Sequence, residues 1–156
     1  MLRADPDPLK RKPYGFFLTI CLLALMGSFL AQYVLQLQPC NLCIIQRMPY
    51  ALAIAFSLWG MISQRNSLIY QLLVACFVIG LVLSLYHLAV QYGLIKDRCR
   101  AASITKDIQV FEDLLLRKKG CGEISWVMFG LPIPLLNALL FSFLGFGALF
   151  QMKKTT

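Results

Sequence analysis

The chain has 156 residues, 59% of them hydrophobic and 14% charged, with a mean hydropathy of +0.70. Soluble domains run nearer ~45–50% apolar and ~25% charged, and so short a chain cannot hide this much apolar surface from water, which excludes a disordered chain and a small disulfide scaffold and argues against a soluble enzyme. The net charge of +8 gathers at the ends, with Arg3, Lys10, Arg11 and Lys12 before the first apolar run and Lys153 and Lys154 after the last, as in membrane proteins that keep their termini in the cytoplasm; no nucleic acid is expected as a partner.

No Lys, Arg, Asp or Glu occurs from Pro13 to Gln46. Within that stretch the run from Tyr14 to about Leu35 meets the roughly 20 residues a bilayer crossing needs. It is longer than the apolar part of a signal peptide and no small-residue cleavage site follows, so it reads as a retained first helix. A second run goes from Ile44 to about Ile62, a polar turn follows at Ser63-Gln64-Arg65-Asn66-Ser67, and a third run goes from Leu68 to about Tyr92. The chain is again uncharged from Ile124 to Met152. There the helix is expected over 134–150, with Pro134 at its first position, where a missing N–H costs nothing.

The segment between the third and fourth runs holds most of the interior charge. Ile104, Ile108, Phe111 and Leu115 recur at helical spacing, with Lys106, Asp107, Glu112 and Asp113 between them. This predicts a short amphipathic helix, resting on the membrane surface or on the protein's own loop. The expectation is an all-α integral membrane protein, a single domain over 1–156 built as a four-transmembrane-helix bundle (spans about 14–35, 44–62, 68–92 and 134–150). Loops at about 36–43 and 93–131 share one side and the termini the other. Counting Lys and Arg does not orient it, since the terminal side with Arg65 and the long loop each carry seven. The N-terminal cluster usually dominates, which puts the termini in the cytoplasm.

Six cysteines fall into two classes. Cys21 and Cys76 lie mid-helix and read as small inert hydrophobes. Cys40 and Cys43 form a C-x-x-C, and Cys99 and Cys121 flank the loop helix; all four lie on the proposed outer side, which suits an oxidising compartment. A four-thiolate zinc site, two structural staples and redox-active disulfides all remain open. The surroundings of Cys43 favour redox chemistry: it opens the second helix, where unpaired N–H groups and the dipole favour a thiolate. Arg47 follows one turn later on the same face, although Pro49 should weaken the helix around Ile45. A C-x-x-C at the lipid edge, with no flavin or haem fingerprint, points to an acceptor dissolved in lipid, a quinone. Asn137 reads as a helix–helix hydrogen-bonding residue, and Arg98, Arg100, Arg117, Lys118 and Lys119 as a basic loop surface.

The run Pro39-Cys40-Asn41-Leu42-Cys43-Ile44-Ile45-Gln46-Arg47-Met48-Pro49-Tyr50 resembles the C-x-L-C-x-x-Q-R-x-P-Y signature of the DsbB family of bacterial disulfide bond formation proteins. Tyr86-His87 late in the third run, the separated pair Cys99 and Cys121, and Trp126 with Phe129-Gly130-Leu131 before the fourth helix extend the resemblance over roughly 14–150. It implies an inner-membrane thiol:quinone oxidoreductase with periplasmic cysteine loops, which reoxidises a periplasmic DsbA-like thiol oxidase and feeds the membrane quinone pool, ubiquinone or menaquinone. It also implies the pairs Cys40–Cys43 and Cys99–Cys121 as catalytic disulfides, and Cys43, Arg47 and His87 as the quinone-binding residues, with no resident metal. The rival is a non-enzymatic four-helix membrane scaffold with structural loop disulfides, which has no use for Arg47 beside Cys43.

Overall fold

The computed structural model describes residues 8–36, 39–63, 66–96, 127–128 and 131–155. The charge-free runs fold as helices: α1 (Pro8–Tyr33), α2 (Asn41–Ile45), α3 (Arg47–Ile62), α4 (Asn66–Gln91) and α5 (Ile133–Thr155). Four segments are long and apolar enough to cross a membrane: Lys12–Tyr33, Asn41–Ile62, Ser67–Gln91 and Ile133–Lys154. The chain is an all-α, multi-pass membrane protein. The other regular structure among the described residues is one antiparallel pair, β1 (Val127–Met128) with β2 (Leu131–Pro132). The loop segment expected as an amphipathic helix, together with Cys99 and Cys121, lies outside the described residues.

The second crossing is one interrupted helix. Pro49 has no N–H to give the carbonyl four residues back, and its ring crowds that carbonyl. The ladder breaks at Gln46, which keeps helical dihedrals (φ −64°, ψ −16°) and joins α2 to α3. The end of α4 is set by Gly93, at φ +72°. There the Leu94 N–H reaches the Ala89 carbonyl at 2.9 Å and the Gly93 N–H the Val90 carbonyl at 3.1 Å, a Schellman ending that needs the left-handed residue glycine supplies.

Helices α1 and α3, α3 and α4, and α4 and α5 pack pairwise, and Phe16 of α1 meets Phe143 of α5, which closes the ring. The start of α1 and the end of α5 lie at one end of the bundle, where Tyr14 stacks on Tyr70 at 4.8 Å and Phe17 approaches Gly147. The core is aromatic and fits into gaps left by glycine. A Cβ at Gly60 would stand 2.6 Å from the Tyr14 ring, and one at Gly80 2.5 Å from the Phe141 ring. Lipid tails give helices no hydrophobic reason to associate, so such close approach carries the packing. Outward-facing Leu23, Trp59, Val82 and Phe146 are exposed to the apolar solvent they suit.

Candidate functional site

At the opposite end, the start of the second crossing lies against the last turns of α4. Cys40, Leu42 and Val90 bury together, with Cys43 and Tyr86 against them. Cys40 is the N-cap of α2, and its sulfur accepts the Cys43 N–H at 3.3 Å. The Cys40 sulfur thus receives an N–H from the head of the helix. The two Sγ atoms are 2.7 Å apart, inside van der Waals contact, and both cysteines are thiols. The hydrogen bond shared with Cys43, and then burial, push the Cys40 thiol well above its ordinary range; His87 acts the other way without reversing it.

His87 and Arg47 come to the pair from different sides. His87, 2% exposed, rises from α4 and puts Nε2 3.6 Å from the Cys40 sulfur. Arg47 reaches toward α1 instead: its Nη1 donates to Gln32 Oε1 at 2.7 Å, and its guanidinium lies 4.9 Å from the centre of the Phe29 ring. Its charge acts on Cys43 through space, with no hydrogen bond between them among the described residues. The structure thus brings Cys40, Cys43, Arg47 and His87 together. Where Cys99 and Cys121 stand falls outside it.

A chain of hydrogen bonds behind His87 sets its orientation. The Gln46 side chain, 3% exposed, donates from Nε2 to His87 Nδ1 at 3.2 Å and to the Leu83 carbonyl at 3.3 Å. Asn137 Nδ2 of α5 donates to Gln46 Oε1 at 3.1 Å, and the Tyr50 hydroxyl donates to Asn137 Oδ1 at 3.3 Å. With Nδ1 accepting, neutral His87 carries its proton on Nε2, aimed at the Cys40 sulfur. Gln46 and Tyr50 are two residues of the Pro39–Tyr50 run to which sequence reasoning assigned no role. The helix–helix bond expected of Asn137 is present.

The lipid-facing rim beside the cysteines is apolar: Ile44, Ile45 and Met48 are each about half exposed or more. Next to it, a cleft of about 210 Å³ between the second crossing (α2 and α3) and α4 is lined by Ile45, Met48, Pro49, Leu52, Cys76, Ile79 and Leu83. A dithiol with its sulfurs in contact, a polarising histidine on one sulfur and a cation near the other can make, break and exchange disulfides.

Comparison with known proteins agrees with that chemistry. The model of the family described as disulfide bond formation protein DsbB matches residues 10–151. A disulfide bond formation protein B from Nitrosococcus oceani is 31% identical over 153 residues, 90% of this chain and 89% of that protein. An uncharacterized protein from Rickettsia prowazekii is 30% identical over 90 residues; the match covers 57% of this chain and 52%, about half, of that relative. No solved structure matches.

Proposed function

The chain belongs to the DsbB family, membrane oxidoreductases of disulfide formation, and from this premise we propose that it is a thiol:quinone oxidoreductase. It reoxidises a DsbA-like thiol oxidase of the periplasm and passes the electrons through two cysteine pairs to the quinone pool of the bacterial inner membrane. Its termini are cytoplasmic and its cysteine loops periplasmic. The observation that carries this reading is the Cys40–Cys43 pair at the head of a membrane crossing, with His87 on one sulfur and the Arg47 charge near the other.

The partner's thiolate attacks the Cys99 sulfur of a Cys99–Cys121 disulfide, and Cys121 leaves as a thiolate. The partner's second thiol releases the oxidised partner and leaves Cys99 reduced. Cys121 then attacks Cys40 in the Cys40–Cys43 disulfide, and Cys43 departs with the electron pair. The Cys99 thiolate attacks Cys121 in the Cys40–Cys121 bond, which restores the Cys99–Cys121 disulfide, releases Cys40 and leaves the two electrons on the Cys40–Cys43 pair. The better thiolate leaves faster. With the Cys40 thiol pushed up, Cys43 is the natural leaving sulfur and Cys40 the one attacked. The His87 Nε2–H holds the Cys40 sulfur in place for that attack.

A bound quinone supplies a two-electron, two-proton acceptor kept oxidised by respiration. A DsbA-type partner near about −120 mV needs such an oxidant, since glutathione pools lie near about −200 mV or below. The residues fit such a group. Arg47 has N–H donors beyond the one Gln32 takes, and Ile44, Ile45 and Met48 offer an apolar approach from lipid. Arg47 would steady the Cys43 thiolate and polarise a quinone oxygen, and His87 would contribute as the second polar side chain of the site.

The test is quinone reduction by the purified protein in detergent, with a reduced DsbA-like oxidase as donor. Turnover in the parent, lost in both Cys43→Ser and Cys99→Ala, supports the relay. Absence of turnover with every quinone and oxidase tried, in folded protein, supports a stapled scaffold instead.

A further inference from the structure

We propose that the reduced Cys40–Cys43 pair and His87 form a site for one thiophilic divalent cation of the zinc and cadmium class, in competition with the Cys40–Cys43 disulfide. The Sγ atoms of both cysteines and a ring nitrogen of His87 all lie within 4.8 Å of one another. The 3.6 Å between Cys40 Sγ and His87 Nε2 already matches the edge of a zinc tetrahedron, about 3.6 Å for Zn–S near 2.3 Å and Zn–N near 2.0–2.1 Å. The sulfurs, 2.7 Å apart, must part by about 1 Å to reach the S···S edge of that tetrahedron. Cys43, only half-buried, is the side chain assigned that movement. Three protein ligands leave the fourth position to water, on the side of Cys43.

Charge favours the site. Two thiolates and a neutral imidazole around a divalent cation sum to zero, so the complex carries no net charge into a setting where Cys40 and His87 are 5% and 2% exposed. No electrons move on binding. The two thiol protons pass to solvent, two S–metal bonds and one N–metal bond form, and the ligand water stays. The Cys43 N–H remains on the Cys40 sulfur, a contact that suits a thiolate.

The hydrogen-bond chain accommodates the tautomer a metal requires. Binding through Nε2 moves the imidazole proton to Nδ1, which must then donate. Turning the Gln46 amide offers Oε1 to that N–H, turning the Asn137 amide offers Oδ1 to Gln46 Nε2, and Asn137 Nδ2 then donates to the Tyr50 oxygen. Every link from His87 to Tyr50 survives with its direction reversed. The cost is the bond from Gln46 to the Leu83 carbonyl. Metal-bound histidines commonly give their second N–H to such a partner, which raises their basicity.

The test uses Cd²⁺ on the full chain in detergent, reduced anaerobically, in a Cys99→Ser, Cys121→Ser background that removes the other thiol pair. The reduced protein should bind one Cd²⁺ per chain with a thiolate-to-cadmium absorption band, and the oxidised protein none. Cys40→Ser should abolish the band, His87→Ala weaken binding at least tenfold, and Gln46→Glu, which keeps an acceptor on Nδ1–H, tighten it. In the parent chain, Cd²⁺ should also protect Cys43 from maleimide, and a chelator should restore labelling. Absence of binding to the reduced protein, affinity unchanged in His87→Ala, a band that survives Cys40→Ser, or labelling unaffected by Cd²⁺ would each overturn the proposal. Inhibition of turnover by bound cation rests additionally on the proposed function. A parent chain that binds Cd²⁺ but never reduces quinone would sink that function and leave the site standing.

Discussion

The two ends of the bundle are held by different forces. At the end where α1 starts and α5 finishes, Tyr14 lies on Tyr70, its ring occupies the gap at Gly60, and deeper in the bundle Phe141 occupies the gap at Gly80. At the cysteine end, hydrogen bonds link α3, α4 and α5 through Tyr50, Asn137, Gln46 and His87 to the Cys40 sulfur. Shape tolerates no added atom but asks nothing of proton positions. A hydrogen-bonded chain tolerates small shifts but fixes which atom donates. The difference teaches that structure-bearing and chemistry-bearing parts can share a 156-residue chain and meet at one contact, where Tyr50 stacks on Phe141 at 4.4 Å: one end supplies stability, the other a defined imidazole tautomer beside a thiol.

The largest expected effect separates the ends outright. Cys40→Ser should reduce quinone turnover to background while leaving helix content and detergent melting close to the parent; a large drop in melting temperature would mean that the dithiol end also supports the bundle. Next comes the opposite substitution. Gly60→Leu forces a side chain into the Tyr14 ring and should cost about 1–3 kcal/mol, the usual price of overpacking, with the folded fraction turning over at the parental rate per cysteine pair. Loss of specific activity in that folded fraction would erase the division between the ends.

Arg47→Leu should lower kcat/KM for quinone by about tenfold, the 1.4 kcal/mol scale of one charged contact, with disulfide exchange between partner and protein unaffected. Equal loss in both half-reactions would show Arg47 acting through the fold, by way of Gln32 and Phe29. A smaller effect is read from pH. Because the Cys40 thiol is pushed up, it stays protonated, and so unreactive, through the ordinary thiol range near ~8.5; Cys43 should be alkylated well before it at pH 8. His87→Ala removes the contact that works downward, so Cys40 labelling should move to still higher pH. Faster labelling of Cys40 in that variant would reverse the sign. The smallest effect is in the amide chain. A double-mutant cycle of Gln46→Leu with Asn137→Leu should give a coupling of about 0.6 kcal/mol, typical between membrane helices, and a value near zero would mean the two amides are not bonded in the bilayer.

Much of the fold was legible because charge is forbidden in hydrocarbon. Long runs without Lys, Arg, Asp or Glu leave few alternatives to crossing helices, and Pro49 marks where the second one breaks. The C-x-x-C was legible because its spacing is local: residues three apart at a helix start have their sulfurs on one side, as Cys40 and Cys43 do. The site was read less well where partners are distant in sequence. Arg47 is one turn from Cys43, yet it bonds Gln32, 15 residues earlier, because a guanidinium with several donors takes the acceptor that α1 presents. His87 follows the signature by 41 residues from Gln46, and no periodicity shows which of its nitrogens faces the thiol.

By itself the sequence determined the class of molecule: an apolar, positively ended chain with four helical crossings and a dithiol at the mouth of the second. These follow from hydration cost and helical spacing, both of which act over a few residues. Tertiary structure alone decided that the Cys40 sulfur takes the Cys43 N–H and the imidazole. It also decided that Gln46, Asn137 and Tyr50 stand behind His87. Those choices depend on which buried donors meet which acceptors once three helices are packed, and an unmet polar group in the membrane costs too much for that pairing to be left to chance.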